Sequence, residues 1–487
     1  MRLLDILSGI DYIGEVSDET DISFVTSDSR KADKDCIFVA IKGLKFDGHD
    51  HIVGAVAKKA AYIVCEKDVG LSNQIVVKNS RAAYALMCAN FYGNPSKSLK
   101  LIAVTGTNGK TTVTRIIKQI LELSGRKTGL IGTIENEIGD LVLPAKHTTP
   151  DPSELHVLFG RMVKSGCEYA VMETSSHALD QHRLDGCEFS AAVFTNLSQD
   201  HLDYHGDMEN YYQAKKKIFD KCENAIINSD DDYGKRLIGE LKAERDVSVI
   251  TFSSDDDSAD YTARNIEKHP EGVDFAFVGS GIIQRMKFGM PGGFSVSNAM
   301  AAASTCVCLG LSLEEIAYGL DNCKGVKGRA EVIPTGLGFT VICDYAHSPD
   351  GLEKIITAMK DLAKGRVVTL FGCAGNRDAA KRPIMGKIVG SLSDFVVLTS
   401  DNPRSEDPQT IIDQTLEGVI ETGTPYKVFP DRYQAIKWAL ENSQKNDILI
   451  LAGKGHEDYQ VLAHGTIAFD EHKIVNELLE RLRAGEN

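Results

Sequence analysis

Long apolar runs are absent from this sequence of 487 residues. No stretch reaches the roughly 18 consecutive apolar residues that a membrane-spanning helix needs, so we predict no membrane span. The first residues also lack the apolar core and the cleavage site of a signal peptide, because Asp5 interrupts them. We therefore expect a cytoplasmic protein.

Blocks of basic residues are also scarce. The chain carries a formal net charge of -15, and its densest basic run, Lys215 to Lys217, is short. A protein with this net negative charge does not attract the negatively charged phosphates of nucleic acid over long range, so nucleic acid is not an expected partner. The 11 cysteines include no C-x-x-C pair, the usual signal of a zinc site, and we interpret them as buried thiols.

Alternating apolar and amphipathic segments make up most of the chain. With 43% hydrophobic residues, it is too long for a single core. The turn-rich segment FYGNPSKSLK ends a first region near Ser98, and a third region begins near Arg329. We predict three α/β domains over residues 1–98, 99–328 and 329–487. The second is predicted to hold a P-loop-like, mostly parallel sheet, and the third is predicted to be Rossmann-like.

The segment AVTGTNGKTT, residues 103–112, places a glycine-containing turn between a strand and a helix start. Such a turn directs backbone N–H groups and a helix N-terminus toward phosphate. Lys110 is predicted to neutralise the β- and γ-phosphates of ATP, and the Thr111 hydroxyl to coordinate Mg²⁺. Val104 stands where the general P-loop pattern has glycine, so a tight turn with an incidental Lys-Thr pair is the alternative. The predicted ATP-binding residues of this loop are Gly106, Thr107, Asn108, Gly109, Lys110, Thr111 and Thr112.

The form GTNGKTT is similar to the loop of the Mur ligase and folylpolyglutamate synthetase superfamily. Further segments resemble Mur ligases that add the third residue of the muramoyl peptide. In the family's order they are METSSHALDQHR, TNLSQDHLDYHGDMENY, DYAHSPD, GNRDAAKRP, DNPRSEDP and AGKGHEDYQ. Together they span all three predicted domains, so the sequence resembles the Mur ligase family along its length.

The resemblance implies a metal site and a modified lysine. Glu173 ends an apolar strand, where a carboxylate commonly reaches the Mg²⁺ of a nucleotide directly or through its second metal shell. In the resembled family, the histidine that matches His201, which stands beside Asp200 and Asp203, is a metal ligand. Lys215 matches a lysine that the family carries as a carbamate, N6-carboxylysine. The implied catalytic residues are Lys110, Glu173, His201 and Lys215, and the last three join Thr111 as implied metal ligands. The alternatives are an exposed strand-end acid, a structural histidine and an unmodified surface lysine.

The resemblance also implies three sets of substrate contacts. Those to the remainder of ATP are Asn298, Arg329, Asp344 and His347. Those to the UDP-muramoyl dipeptide are Ser29, Thr148, Thr149, Ser175, Gln181 and Arg183. Those to diaminopimelate are Arg377, Asp401, Asn402, Pro403, Arg404, Gly453 and Glu457. Simpler roles stay open, namely a helix N-cap for Asn298, turn formation for the Ser and Thr residues, and a proline turn for DNPR.

The implied function is ATP- and Mg²⁺-dependent addition of meso-diaminopimelate to UDP-N-acetylmuramoyl-L-alanyl-D-glutamate through an acyl phosphate, in peptidoglycan biosynthesis. The expected partners are these small molecules, and a monomer is expected. A lysine-adding Mur ligase or a folylpolyglutamate synthetase-like amide ligase is the nearest alternative. A nucleotide-gated binding module without ligase activity is the alternative from another class.

Overall fold

The computed structural model describes residues 1–17, 20–43, 46–244, 247–323 and 325–485. The first part of the chain has short 3-10 helices at Gly48–His51 and Pro95–Ser98. Its other elements are α1 (Leu3–Ile6), β1 (Tyr12–Ile13), β2 (Phe24–Thr26), β3 (Cys36–Val39), α2 (Ile52–Ala57), β4 (Tyr62–Cys65), β5 (Gln74–Val77) and α3 (Ser80–Phe91).

These strands form a sheet in the order β1-β5-β4-β3-β2. Strands β2 to β5 run parallel, and β1 is antiparallel to β5. Every residue of β3 and β4 is buried, as expected for parallel strands covered on both faces. On one face Ile37 belongs to a buried cluster that includes Tyr84 of α3, and on the other Phe38 belongs to a cluster that includes Ile52 of α2.

The next part of the chain has a 3-10 helix at Lys217–Asp220. Its other elements are β6 (Lys100–Thr105), α4 (Lys110–Leu123), β7 (Thr128–Ile131), β8 (Glu135–Ile138), β9 (Leu141–Pro144), α5 (Pro152–Lys164), β10 (Tyr169–Glu173), α6 (Ser176–Asp180), β11 (Phe189–Phe194), α7 (Leu202–His205), α8 (Met208–Lys216), β12 (Cys222–Asn228) and α9 (Asp232–Glu244). The strand order is β12-β11-β6-β10-β7-β8-β9. Strands β12 to β7 run parallel, and β8 and β9 are antiparallel.

Strand β6 lies between β10 and β11, and all three run in the same direction. Their carboxyl ends therefore meet at one edge of the sheet, which is where open α/β sheets bind ligands. The loops that leave this edge are residues 106–109, 174–175 and 195–201. Phe159 of α5 and Tyr212 of α8 join the buried cluster that supports this sheet.

The following elements are β13 (Ser248–Ser253), β14 (Tyr261–His269), β15 (Gly272–Gly279), β16 (Ile282–Phe288), α10 (Gly293–Cys308) and α11 (Leu313–Asp321). Strands β14, β15 and β16 form an antiparallel meander, and β14 pairs in parallel with the end of β13. Helix α11 starts at a capping box, in which the Ser312 hydroxyl accepts from the Glu315 N–H and the Glu315 carboxylate accepts from the Ser312 N–H.

The last part contains β17 (Glu331–Pro334), β18 (Thr340–Asp344), α12 (Pro349–Lys360), β19 (Val367–Phe371), α13 (Lys381–Leu392), β20 (Phe395–Thr399), α14 (Pro408–Thr422), β21 (Tyr426–Phe429), α15 (Arg432–Glu441), β22 (Ile448–Ala452), β23 (Tyr459–Leu462), β24 (Gly465–Ala468) and α16 (Glu471–Ala484). The sheet order is β17-β18-β22-β19-β20-β21, with β17 antiparallel and the other strands parallel. Strands β23 and β24 pair as a hairpin.

The chain divides into two compact units, Met1–Thr251 with Ser304–Gly310, and Phe252–Ala303 with Leu311–Asn487. Each contains a largely parallel sheet with helices, so the predicted α/β class is confirmed. The domain boundaries near residues 98 and 328 stay predictions. Over the described ranges, each helix is too short or too polar to cross a lipid bilayer.

Candidate active site

The predicted phosphate loop, residues 106–109, connects β6 to α4, which begins at Lys110. Gly106 and Gly109 have φ angles of 147° and 88°, a backbone conformation that favours glycine. A Cβ atom on Gly106 would lie 1.9 Å from the Thr195 hydroxyl oxygen. The predicted strand, tight turn and helix start are therefore present, and the turn requires its glycines.

Hydrogen bonds hold this loop in place. Lys110 Nζ donates to the carbonyl oxygens of Gly106 at 2.9 Å and Thr107 at 2.8 Å. Asn196, in the loop after β11, was not predicted. Its carbonyl oxygen accepts from the Thr107 N–H at 2.9 Å, and its Oδ1 accepts from the Asn108 N–H at 3.0 Å. The loop is thus anchored by the neighbouring strand end, with the Lys110 amino group close to its carbonyl oxygens.

Glu173, the last residue of β10, is buried, with only 1% of its surface exposed. Its Oε2 accepts from the hydroxyls of Thr111 and Thr133, each at 2.9 Å, and its Oε1 accepts from the Thr133 N–H at 2.7 Å. The alternative of an exposed strand-end acid is therefore wrong. Thr133, which follows β7, was not predicted, because its position beside Glu173 depends on the pairing of β7 with β10.

Lys215 lies near the end of α8 and is also buried, with 1% of its surface exposed. Its Nζ donates to the Gly106 carbonyl oxygen at 2.8 Å and lies 4.7 Å from the centre of the Tyr211 ring. Burial, and then the nearby Lys110 charge, lower the pKa of Lys215 well below its ordinary value, against an opposing effect of Asp200. The alternative of a surface lysine is therefore wrong, and the neutral amine is favoured.

His201 stands immediately before α7, with a positive φ of 53°. Its Nε2 lies 3.4 Å from Asp200 Oδ2, and its ring meets that of His177 at a centroid distance of 4.9 Å. Partial burial lowers the pKa of His201, Asp200 raises it, and Lys110 and Lys215 lower it further. A neutral imidazole is the form that binds metals.

The residues predicted to hold Mg²⁺ offer a suitable donor set. Mg²⁺ prefers oxygen ligands, and the Glu173 carboxylate and Thr111 hydroxyl already lie in contact. An unmodified Lys215 fits less well, since its nitrogen donates to the Gly106 carbonyl oxygen. A carbamate on that nitrogen would instead offer oxygen atoms to the metal.

The predicted peptide-side residues contact one another and Glu173. Thr149 Oγ1 donates to the Glu173 carbonyl oxygen at 2.9 Å and accepts from the Ser175 N–H at 3.0 Å. Thr148 Oγ1 lies 3.0 Å from the Thr133 hydroxyl oxygen. The Ser175 hydroxyl also caps α6. Turn formation therefore describes only part of what these hydroxyls do.

Arg183 continues this network. Its Nη1 donates to the Thr149 carbonyl oxygen at 2.8 Å, and its Nη2 donates to Gln181 Oε1 at 2.8 Å. Gln181 Nε2 in turn donates to the Tyr204 hydroxyl at 3.2 Å. Thr149, Gln181 and Arg183 are thus brought together as predicted, and Tyr204 is an unpredicted member of the group.

A cavity of about 150 Å³ opens beside Gln181 and Arg183, with Ser27, Arg81, Tyr84 and Asp151 among its other lining residues. The predicted contact Ser29 does not line it, and its carbonyl oxygen accepts from Lys58 Nζ at 3.0 Å. Arg81, Tyr84 and Asp151 were not predicted. Arg81 and Tyr84 lie in α3, and Asp151 is the N-cap of α5. Sequence patterns place each residue on its helix, but they do not show that the two helices meet.

In the second unit, three predicted ATP contacts surround Tyr345. The Arg329 guanidinium lies 4.7 Å from the Tyr345 ring centre, and His347 Nδ1 lies 2.7 Å from the Tyr345 carbonyl oxygen. Asp344 accepts from the N–H groups of Ala330 at 2.6 Å and Ala346 at 2.7 Å. Burial raises the pKa of Asp344, and the Arg329 charge opposes that shift.

Asn298 occupies the interior of α10, six residues into a helix that begins at Gly293. Its side chain is largely buried. The alternative of a helix N-cap is therefore wrong. The predicted contact with ATP stays a prediction.

The predicted amino-acid pocket is built from the loops that follow β20 and β22. Asp401, Asn402 and Pro403 are buried directly after β20, and a Cβ on Gly453 after β22 would lie 3.4 Å from Asp401 Oδ2. Asn402 Nδ2 donates to Glu457 Oε2 at 2.9 Å. These predicted residues are therefore brought together across two neighbouring loops.

Arg404 and Arg377 differ in their surroundings. Arg404 has a positive φ of 54° and is half-buried, its N–H donates to the Val461 carbonyl oxygen at 3.0 Å, and its Nη1 donates to the Gly375 carbonyl oxygen at 2.8 Å. Arg377 is exposed. The DNPR segment therefore does form a turn, but one whose arginine is held by backbone contacts.

Two unpredicted groups support this pocket. Arg432 and Glu471, both fully buried, form an ion pair at 2.6 Å, and Arg432 also donates to the carbonyl oxygens of Ser400 and Ala452 at the ends of β20 and β22. The second group is Lys454, which is fully buried between the predicted residues Gly453 and Glu457.

Comparison with known proteins identifies the family. The sequence matches the Mur ligase family catalytic domain over residues 21–92, the Mur ligase middle domain over residues 104–306, and the Mur ligase glutamate ligase domain over residues 328–455. The chain belongs to the Mur ligase family, as its motifs predicted.

Several relatives match the whole chain. It is 45% identical, over 99% of its length and 100% of theirs, to the UDP-N-acetylmuramoyl-L-alanyl-D-glutamate–2,6-diaminopimelate ligase of Clostridium tetani. It is also 45% identical to the protein of that name from Caldanaerobacter subterraneus subsp. tengcongensis, covering 98% of this chain and 99% of the other. A solved structure of a ligase with that name is 31% identical, with a TM-score of 0.75 and coverage of 99% of both chains.

A more distant structure shares the fold. The MurF ligase of Thermotoga maritima, solved in complex with ADP, is 19% identical with a TM-score of 0.59, covering 96% of this chain and 99% of that one. Family and fold are therefore established, while the roles of the individual site residues stay predictions.

Proposed function

We propose that this protein is an ATP-dependent ligase that joins meso-diaminopimelate to UDP-N-acetylmuramoyl-L-alanyl-D-glutamate in peptidoglycan biosynthesis. The observation that carries the proposal is the likeness, over 99% of the chain, to a relative named for that reaction. The contacts around Glu173, Lys215 and Asn402 support it, because they bring the predicted residues into local groups.

The first step is transfer of the ATP γ-phosphoryl group to the D-glutamyl carboxylate. A carboxylate oxygen forms a bond to phosphorus, the bond between phosphorus and the β-phosphate oxygen breaks, and ADP leaves. Lys110 would exchange its bonds to loop carbonyl oxygens for bonds to the phosphates, and the start of α4 would add N–H groups. Thr111, Glu173, His201 and a carbamylated Lys215 would hold Mg²⁺, which offsets phosphate charge when bound.

The second step is attack by the amine of the amino acid on the acyl phosphate. A carbon–nitrogen bond forms, phosphate leaves, and the nitrogen loses a proton. Gln181 and Arg183 would hold the peptide end, in the cavity that they line. The main task of these residues is to align the two ends and exclude water from the activated acyl group.

Lys215 can become an anionic ligand only if its amine is neutral before it reacts with CO₂. Its nitrogen would then form a bond to the CO₂ carbon and release one proton, leaving a carbamate. Burial and the neighbouring Lys110 favour the neutral amine. This supports the modification, which stays part of the proposal.

The amino-acid pocket has a charge pattern that suits diaminopimelate. Arg404 can fork onto a carboxylate, and Glu457 can receive an ammonium group. Diaminopimelate carries a second carboxylate that lysine lacks, so Arg404 would favour the binding of diaminopimelate over that of lysine. A cytoplasmic location and a monomeric state belong to the same proposal.

Phosphate release tests the function directly. Purified protein with ATP, Mg²⁺ and the UDP-muramoyl dipeptide should release phosphate with diaminopimelate, and much less with lysine or ornithine. Faster release with lysine would favour a lysine-adding enzyme, and activity on a folate substrate would favour the synthetase relatives. ATP binding without phosphate release under any of these conditions would favour a binding module.

A further inference from the structure

Lys454 lies at the centre of the amino-acid pocket, with 0% of its surface exposed. Its Nζ donates to Asn402 Oδ1 at 2.7 Å, to Glu457 Oε2 at 3.0 Å and to the Tyr459 carbonyl oxygen at 2.8 Å. An ammonium group has three N–H donors, and these bonds occupy all of them. Lys454 therefore has no donor left for a substrate.

The partners of Lys454 come from separate loops. Asn402 and Glu457 are 55 positions apart in the chain, yet Asn402 Nδ2 donates to Glu457 Oε2 at 2.9 Å. Asn402 Oδ1 also accepts from the Val461 N–H at 2.9 Å. The orientation of the Asn402 amide is thus determined at both ends, and the Lys454 ammonium bonds to both members of the pair.

We propose that Lys454 is the positioning residue of the amino-acid pocket, whose buried ammonium fixes Asn402 and Glu457 in the arrangement that receives the incoming amino acid. The inference rests on the proposed function, which assigns this pocket to an amino acid. The bonds from Lys454 and Asn402 both end on Oε2 of Glu457. Oε1, which receives neither of them, is then the oxygen placed to accept from the substrate ammonium.

Charge explains why a cation is needed at this point. Asp401 Oδ1 lies 3.4 Å from Lys454 Nζ, so the ammonium stands between two acidic side chains, those of Asp401 and Glu457. Without it, two negative groups would share a poorly hydrated space, which strongly disfavours their native arrangement. Glu457 would then turn away from Asn402, and the pocket would lose its ordered ammonium acceptor.

The test replaces Lys454 by glutamine and measures steady-state kinetics of phosphate release. Lys454→Gln should raise the KM for diaminopimelate about 10- to 100-fold, the range expected for loss of a charge-assisted contact. The KM values for ATP and for the UDP-muramoyl dipeptide should stay within about twofold of wild type, and kcat should fall less than the KM for the amino acid rises.

Lys118 provides the matched control. It is a buried lysine of α4 whose Nζ contacts Glu122 at 2.6 Å and Glu137 at 3.0 Å, and it has no predicted substrate contact. Lys118→Gln removes the same charge from a similar acidic environment. It should lower the unfolding midpoint without changing the KM for diaminopimelate, so a general loss of stability cannot imitate the expected result.

A coupling experiment keeps the proposal testable if Lys454→Gln does not fold. Glu457→Gln and the double variant Lys454→Gln/Glu457→Gln leave fewer unpaired charges, and their KM values for diaminopimelate should agree within about twofold, because Lys454 acts through Glu457. If the KM for diaminopimelate in the double variant instead equals the product of the two single-variant increases, as it would for independent sites, the proposal is overturned.

The outcomes separate this inference from the proposed function. Wild-type protein that releases no phosphate with any amino acid refutes the function. Active wild type with an unchanged amino-acid KM in folded Lys454→Gln refutes the positioning role. If the wild type prefers lysine, the same measurements with lysine as the substrate decide the role of Lys454.

Discussion

Lys215 and Lys454 are both almost completely removed from solvent, but their surroundings are opposite. The Lys215 amine has a carbonyl oxygen at 2.8 Å and the Lys110 charge nearby. The Lys454 amine has a carboxylate at 3.0 Å and a second at 3.4 Å, together with an amide oxygen and a carbonyl oxygen. Burial alone therefore does not decide what a lysine does.

The difference lies in the charge of the neighbours. An isolated buried ammonium is costly, so Lys215 favours its neutral form, which can react with CO₂. The carboxylates beside Lys454 compensate a buried ammonium, and its hydrogen bonds order them. We infer that one lysine prepares a reactive group beside the phosphate loop, while the other is a fixed element of the amino-acid pocket.

The largest expected effect comes from removing the reactive lysine. Lys215→Ala should lower kcat more than about 10³-fold, since charge stabilisation by a bound metal contributes several kcal/mol and its anionic ligand would be lost. Acetate should restore part of the activity by supplying a carboxylate at the vacated position. Phosphate release with and without acetate measures this, and full activity of Lys215→Ala in CO₂-depleted buffer would contradict it.

The neighbouring cation should matter almost as much. Lys110→Ala should lower kcat about 10²- to 10³-fold, because it removes a cation that would stabilise charge on the transferring phosphoryl group. Turnover is measured after circular dichroism has verified that the variant is folded. Near-normal turnover of Lys110→Ala would contradict the assignment of residues 106–112 as the nucleotide-binding loop.

Arg404→Ala should have an intermediate effect that is confined to the amino acid. Its contact with the distal carboxylate is expected to contribute about 1.5–3 kcal/mol. The KM for diaminopimelate should rise about 10- to 100-fold, and the preference for diaminopimelate over lysine as a substrate should become smaller. Arg404→Lys should recover little, since an ammonium cannot reproduce a forked contact. An unchanged ratio of diaminopimelate to lysine turnover would refute the substrate assignment but not the ligase assignment.

The smallest expected effect is on stability. Unfolded Lys215 binds a proton up to its ordinary pKa of 10.5, whereas burial holds the native pKa well below that value. Between those two pKa values Lys215 binds more proton in the unfolded state than in the native state, so its own contribution to the free energy of unfolding rises with pH, by at most about 1.4 kcal/mol per pH unit. Lys215→Met should remove this contribution in CO₂-depleted buffer. The effect is measured as a difference from wild type at each pH, because buried cysteines such as Cys88 and Cys343, whose pKa values burial raises, give a contribution of the opposite sign.

Lys118 is the control for that slope. Its acidic partners raise its pKa above 10.5, against the effect of burial. Its stabilising contribution is therefore complete below pH 10.5 and is lost only as the pH rises through the native pKa. Denaturant titrations from pH 7 to pH 10 should show the wild-type slope in Lys118→Met, and an equally steep slope in Lys215→Met would contradict the neutral amine.

Local patterns made much of the fold predictable. The formation of β6, β10 and β11, and of the glycine turn before Lys110, depends mainly on residues that are close in the sequence. The α/β class and the loop could therefore be predicted from the sequence. The burial of Glu173 could not, because it depends on β7 lying beside β10. Lys454 was missed because its partner Asn402 is 52 positions away.

Labelling with ¹³C-bicarbonate tests the contrast between the two lysines most directly. Wild-type protein near neutral pH should show a protein-bound carbamate signal by ¹³C NMR. The signal should persist in Lys454→Gln and disappear in Lys215→Ala. A wild type without such a signal, or a signal that survives in Lys215→Ala, would contradict the account.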